Sequence, residues 1–169
     1  MHRLLIANRA EIAVRIIDTA AGLGIETIAV HPEDDAATAH VARADRAVPL
    51  PGSGVAAYLD IDAVVAAAVE AGADAIHPGF GFLSENAEFS RRCDEAGISF
   101  VGPSPEALRL FGDKARARAQ AESVGVPTTA ATRGATTLEQ ARAFWDSLTP
   151  GSAVMVKALA GGGGRGMAP

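Results

Sequence analysis

Apolar positions follow two rhythms along this chain. Residues 3–7 are a short apolar run closed by Asn8, the pattern of a strand buried on both faces. Residues 10–22 then carry Ile12, Ala13, Ile16, Ile17 and Ala20 at helical spacing, with Gly22 and Gly24 as stops. Residues 25–30 predict a second strand, ended by His31-Pro32. Strand, helix and strand in such close succession predict a βαβ unit with parallel strands.

The alternation continues. Residues 38–44 predict a short helix, and 46–50 an edge strand, limited to an edge by Pro49 and Pro51. Residues 51–54 predict a loop. Residues 60–71 predict a helix with Ile61, Val64, Val65, Ala68 and Val69 on one side, and 73–77 a strand. Pro78-Gly79-Phe80-Gly81-Phe82-Leu83 is a turn rich in special backbone positions at that strand's carboxyl end, where open α/β sheets place ligands. His77 is expected to hydrogen-bond within this turn. The next helix is expected to start at Ser84, a natural N-cap, with Phe89, Cys93 and Ala96 facing inward. A strand over 98–101 and a helix capped by Ser104 complete an open parallel α/β layer. The acidic run Glu33-Asp34-Asp35 reads as a solvated helix start.

The register changes near residue 112. Residues 114–124 predict a polar, alanine-rich helix, and 138–148 a helix carrying the single tryptophan, Trp145. Residues 154–157 predict a strand that delivers Lys157 to a run nearly free of side chains: Gly161, Gly162, Gly163, Gly164, Arg165 and Gly166. Glycine in an ordered segment costs about 0.5–1 kcal/mol relative to alanine. Linkers mix glycine with serine and seldom follow an apolar strand directly. The run therefore reads as a loop whose N–H groups close over phosphates, with Lys157 and Arg165 supplying charge.

Composition sharpens this. Of 15 basic residues only Lys114 and Lys157 are lysine. A lysine is a compact point charge that fits among phosphate oxygens, whereas arginine is a broad fork. The net charge of −5 is spread along the chain and argues against a nucleic-acid partner. There is no long apolar run to suggest a membrane span or signal peptide. A single cysteine, Cys93, excludes an intrachain disulfide and fits a reducing cytoplasm. The four histidines have no metal-ligand spacing.

Three segments carry a specific resemblance: Leu5-Ile6-Ala7-Asn8-Arg9-Ala10-Glu11-Ile12-Ala13, Ala75-Ile76-His77-Pro78-Gly79-Phe80-Gly81-Phe82-Leu83-Ser84-Glu85-Asn86, and Lys157 through Met167. Together with Gly102-Pro103-Ser104, Phe111-Gly112-Asp113-Lys114 and Gly125-Val126-Pro127, they closely resemble the biotin carboxylase family, over the whole chain and in order. The resemblance implies a pre-ATP-grasp domain over 1–112: a Rossmann-like parallel open sheet with helices on both faces. Residues 113–169 would open an ATP-grasp domain that ends in the glycine loop.

In that family MgATP activates bicarbonate as carboxyphosphate, and the carbon dioxide released is taken up by biotin on a carrier domain. By resemblance Lys114, Lys157, Gly161, Gly162, Gly163, Gly164, Arg165, Gly166 and Met167 are ATP ligands. Glu85 and the turn around Gly79 would lie towards the biotin or phosphate end. The implied partners are a biotin carboxyl carrier and a carboxyltransferase, with a homodimer implied as well. Phe80 stands where many relatives have tyrosine, and Ala160 where another glycine is usual. The family's magnesium, bicarbonate and catalytic groups lie further along than Pro169. The chain alone is thus expected to be inactive and to bind ATP weakly, within a parent ATP-dependent ligase. Two rival readings stand beside this one. One is a non-catalytic interaction module derived from a carboxylase. The other is a nicotinamide-dependent oxidoreductase, from the G-x-G-x-x-G match of Gly161, Gly163 and Gly166, opposed by the lack of glycine after the first strand.

Overall fold

The first apolar run becomes the centre of a sheet. In the computed structural model, which describes residues 1–158 and 167–168, β1 (Arg3–Ile6) lies between β2 (Glu26–His31) and β4 (Ala75–His77). With β3 (Arg46–Pro49) outside β2 and β5 (Ser99–Phe100) outside β4, the order is β3-β2-β1-β4-β5, all pairs parallel. Register places Leu5 opposite Ile28 on one side and Ile76 on the other.

β1 is apolar at successive positions because both of its faces are covered. Leu5 and Ala7 pack with Ile28, Val30 and Ile76 into a core completed by Val64, Val65 and Ala68 of helix α4 (Ile61–Ala71). Phe89 and Cys93 of α5 (Ala87–Glu95) belong to the same core. Leu4, Ile6 and Ala75 face the other way, against Ala13, Ile16, Ile17 and Ala20 of α1 (Ala10–Gly22). Each fully buried aliphatic side chain of this kind contributes about 1.5–3 kcal/mol. The predicted open α/β layer with helices on both faces is therefore the observed one.

Helix ends follow local chemistry. Asp60 caps α4 by accepting from Ala63 N at 3.0 Å, and Gly72 ends it in the left-handed region. The cap of α5 is Asn86, which accepts from Phe89 N at 3.0 Å. Ser84, expected in that role, instead donates its backbone N–H to Gly81 O within the preceding turn. Two short helices, α2 (Ala39–Arg43) and α3 (Gly54–Tyr58), flank β3; the second follows directly on the predicted loop. Residues 33–35 form a 3-10 turn.

The chain divides into two compact units, Met1–Leu108 and Arg109–Pro169, with α6 (Pro105–Gly112) running across the division. The second unit contains α7 (Lys114–Ser123), α8 (Leu138–Asp146) and an antiparallel pair of short strands, β6 (Val156–Lys157) and β7 (Met167–Ala168). Its helices are set by their ends. Asp113 accepts from Ala115 N and Arg116 N at the start of α7. Thr137 and Gln140 form a reciprocal capping box at the start of α8.

Candidate functional site

The chain leaves β1 for β2 on one side of the sheet and returns at β4 on the other. The carboxyl ends of β1 and β4 therefore frame the topological switch point, where doubly wound sheets open a crevice for ligands. Here that crevice is bridged by side-chain chemistry. Asn8, immediately after β1, is 3% exposed. Its Nδ2 donates to Pro78 O at 2.7 Å and to Phe80 O at 3.0 Å, and its Oδ1 accepts from Arg9 N at 2.9 Å. Both amide protons are thus used, as burial of a carboxamide requires.

The 78–82 turn is shaped to receive this amide. Gly79 has φ +68°, and a Cβ there would lie 2.6 Å from Asn8 Nδ2. Its N–H donates to His77 Nδ1 at 3.0 Å, the hydrogen bond expected within the turn. Because Nδ1 is an acceptor, the neutral ring carries its proton on Nε2. Burial, with Arg15 nearby, holds the His77 pKa below its ordinary value, which favours that neutral form. The turn also holds Phe82 at φ +46°, a backbone region costly for a residue with a Cβ. The Phe82 ring is stacked on Tyr58, with centroids 5.3 Å apart and planes 12° from parallel.

Tyr58 leads to a buried polar group that the sequence did not announce. Its hydroxyl donates to Asp35 Oδ2 at 2.8 Å, and Arg9 donates to Asp35 Oδ1 at 2.6 Å. Asp35 is buried, so the expectation that 33–35 forms a solvated acidic start fails at this residue. Burial alone would raise its pKa, but the hydrogen bonds from Tyr58 and Arg9 outweigh it and hold the carboxylate below its ordinary value. Thr38 donates its hydroxyl to Asp35 O at 2.6 Å and meets His40 Nδ1 at 2.9 Å. Burial pushes the His40 pKa down. A signal existed for part of this group: Tyr58 is the only tyrosine, and its hydroxyl needs a partner when its ring joins a core.

The predicted ligands fall in different places. Glu85 is exposed in the stretch between the 78–82 turn and α5. Lys114 occupies the first position of α7, exposed, beside the Asp113 cap. Lys157 and Met167 lie directly opposite each other across the β6 and β7 pair. Gly161, Gly162, Gly163, Gly164, Arg165 and Gly166 lie outside the described residues. A shallow cleft of about 430 Å³ runs between α7 and residues 132–134, but it is lined by none of the predicted ligands. Arg118 and Glu122 on its wall are ion-paired at 3.0 Å. Among the described residues no group of three His, Cys, Asp or Glu side chains could hold a metal. Nor is any described helix long and apolar enough to cross a membrane.

Comparison with known proteins places this arrangement. A putative urea carboxylase of Emericella nidulans is 52% identical over 99% of this chain and 13% of its own length. A biotin carboxylase of a Nostoc species is 48% identical over 98% of this chain and 37% of its own length. Among solved structures, the biotin carboxylase domain dimer of Hydrogenobacter thermophilus 2-oxoglutarate carboxylase, complexed with MgADP, ADP and bicarbonate, superposes with a TM-score of 0.92. It is 42% identical, and the match covers 98% of this chain and 36% of that one. The chain thus spans well under half the length of these relatives. Residues 1–108 match the family described as biotin carboxylase, N-terminal domain, and the chain belongs to that family.

Proposed function

We propose that this chain supplies the amino-terminal part of a biotin carboxylase, in which MgATP activates bicarbonate and biotin on a carrier domain is carboxylated. The observation that carries this reading is the extent of the likeness. It runs past the family domain to 98–99% of the chain and so takes in Lys114, Lys157 and the glycine run. On this reading residues 113–169 open an ATP-grasp domain, and residues 1–112 are its preceding α/β domain.

The described residues suit a nucleotide's anionic tail. Lys157 is exposed on β6 and faces Met167 in register, with the glycine run between them in sequence. Lys114 sits at the start of α7, where the helix N-terminus itself favours negative charge. A lysine about 4 Å from a phosphate charge is worth about 4 kcal/mol at an effective dielectric of about 20, before desolvation. Phosphoryl transfer depends chiefly on such positioning and charge neutralisation. None of the described residues is assigned to magnesium. On the same reading Glu85 and the 78–81 turn lie towards the biotin or phosphate end, and a carrier domain, a carboxyltransferase and a second copy complete the assembly, working in the cytoplasm.

A graft tests the reading. The corresponding amino-terminal segment of the Nostoc biotin carboxylase is replaced by this chain. The graft is expected to keep biotin-dependent release of ADP, and Lys157→Ala within it to lower kcat/KM for ATP at least tenfold. A soluble graft without biotin-dependent ADP release would overturn the proposal.

A further inference from the structure

We infer that Asn8 is a positioning residue for the carboxylation site: its carboxamide fixes the 78–82 turn in the shape that presents Phe80 and Glu85 at the sheet's carboxyl edge. This rests on the function proposed above. Three of the turn's five residues lie in the left-handed region: Gly79 at +68°, Gly81 at +72° and Phe82 at +46°. Two are glycines, but Phe82 is not, and a strained backbone of this kind persists only where its surroundings over-determine it. The surroundings here are specific. Asn8 Nδ2 pulls the carbonyls of Pro78 and Phe80 towards one point. Gly79 lies between those carbonyls, and only a residue without Cβ allows the approach. His77 takes the Gly79 N–H, and Tyr58 stacks under Phe82.

The consequence is a turn held from several sides that leaves Phe80 80% exposed. The fold obtains no core packing from that ring, although it lies beside the switch point where ligands of this sheet class dock. Asn8 is itself buried and acts through main-chain carbonyls, so its effect on a ligand must pass through the turn.

The first test needs no substitution. In the 169-residue chain, NMR couplings across the hydrogen bonds from Asn8 Nδ2 to the carbonyl carbons of Pro78 and Phe80 are expected, with slow exchange of the side-chain amide. Their absence would overturn the inference. The second test is Asn8→Asp, which keeps the shape but points a carboxylate at two carbonyl oxygens. Gly79 and Gly81 amide exchange is expected to rise at least tenfold at pH 8. His77 accepts the Gly79 N–H in the unaltered chain too and titrates alike there, so the excess is read against that chain at the same pH. This excess should shrink towards pH 6, because the facing carbonyls and burial raise the new carboxyl's pKa and its protonated form regains one donor.

In the Nostoc graft the same variant is expected to raise KM for biotin about tenfold, with kcat and KM for ATP within about twofold, and the biotin KM should fall again at lower pH. Equal, pH-independent loss in all three constants would mark Asn8 as merely structural and overturn the inference. Faster exchange with an unchanged biotin KM would overturn it as well. A graft that retains Asn8 yet releases no ADP with biotin would sink the proposed function instead, and the couplings and exchange rates would still decide whether the clamp exists. Should Asn8→Asp fail to fold, the couplings in the unaltered chain still decide.

Discussion

The Tyr58 hydroxyl donates to Asp35 Oδ2 at 2.8 Å, joining the ring beneath the 78–82 turn to a carboxylate whose other oxygen holds Arg9 at 2.6 Å. A single hydroxyl thus links an aromatic stack to an ion pair whose carboxylate is buried and whose guanidinium is partly exposed. Tyr58→Phe should keep the stack on Phe82 but leave Asp35 short of one donor. The expected loss is about 1–3 kcal/mol, the usual cost of an unsatisfied buried polar group. Urea denaturation would measure it as a lower midpoint with an unchanged slope.

Acid should weaken the first unit in two separate steps. His40 and His77 both have pKa values depressed by burial, so each binds its proton more readily when the chain unfolds. Stability supported by the neutral rings is present at pH 7 and drains away as pH falls below about 6.5, the ordinary histidine value. Asp35, Asp45 and Asp74 are also depressed, Asp45 chiefly by the hydrogen bond from Thr27 N. Their contribution holds above about pH 4 and is lost below it. Denaturation midpoints measured from pH 8 to pH 3 should show both steps. Replacing His40 and His77 by Gln should remove the upper step and leave the lower one.

Ala10 opens α1 at φ +53°, exposed, in a region that L residues with a Cβ seldom occupy. Left-handed backbone costs such a residue about 1–2 kcal/mol. Glycine would remove that strain, at the expense of about 0.4–1 kcal/mol from a more mobile unfolded chain. Ala10→Gly should therefore raise stability by up to about 1 kcal/mol, read as a Tm higher by a few degrees.

Cys93 is fully buried in the core formed with Phe89, and burial followed by nearby Asp94 pushes its thiol up to about 12. A protonated, inaccessible sulfur is a poor nucleophile. The native chain should leave a disulfide reagent unreacted at pH 8 for as long as it stays folded, and one equivalent should react at once in denaturant.

Much of the first unit could be read in advance, because its physics is local. β1, α1 and α4 announce themselves by period, and the 78–82 turn by its glycines beside aromatics. What escaped was short or long-range. Helix α3, Gly54–Tyr58, is too brief to display a period and follows Pro51-Gly52-Ser53, which reads as loop. Ser84 and Asn86 are equally good caps on paper, and only the path of the turn selects Asn86. Asp35 looked solvated because its partners, Arg9 and Tyr58, lie far away in sequence on either side. Asn8 stood inside a recognised motif, but its role needed the carbonyls of Pro78 and Phe80. The glycine run lies outside the described residues, so its part in the site rests on chemistry and likeness.

The central place of β1 has a bearing on biogenesis. A ribosome releases β1 and β2 well before β4, so Leu4 must wait for Ala75, and Leu5 for Ile76, before the second edge of β1 is sealed. Until then β1 with β2 presents a bare parallel edge of apolar residues, the kind of surface that invites mispairing. Closing so long a loop makes nucleation slow. The nascent chain is therefore most open to mispairing in the interval between the emergence of β2 and the arrival of β4.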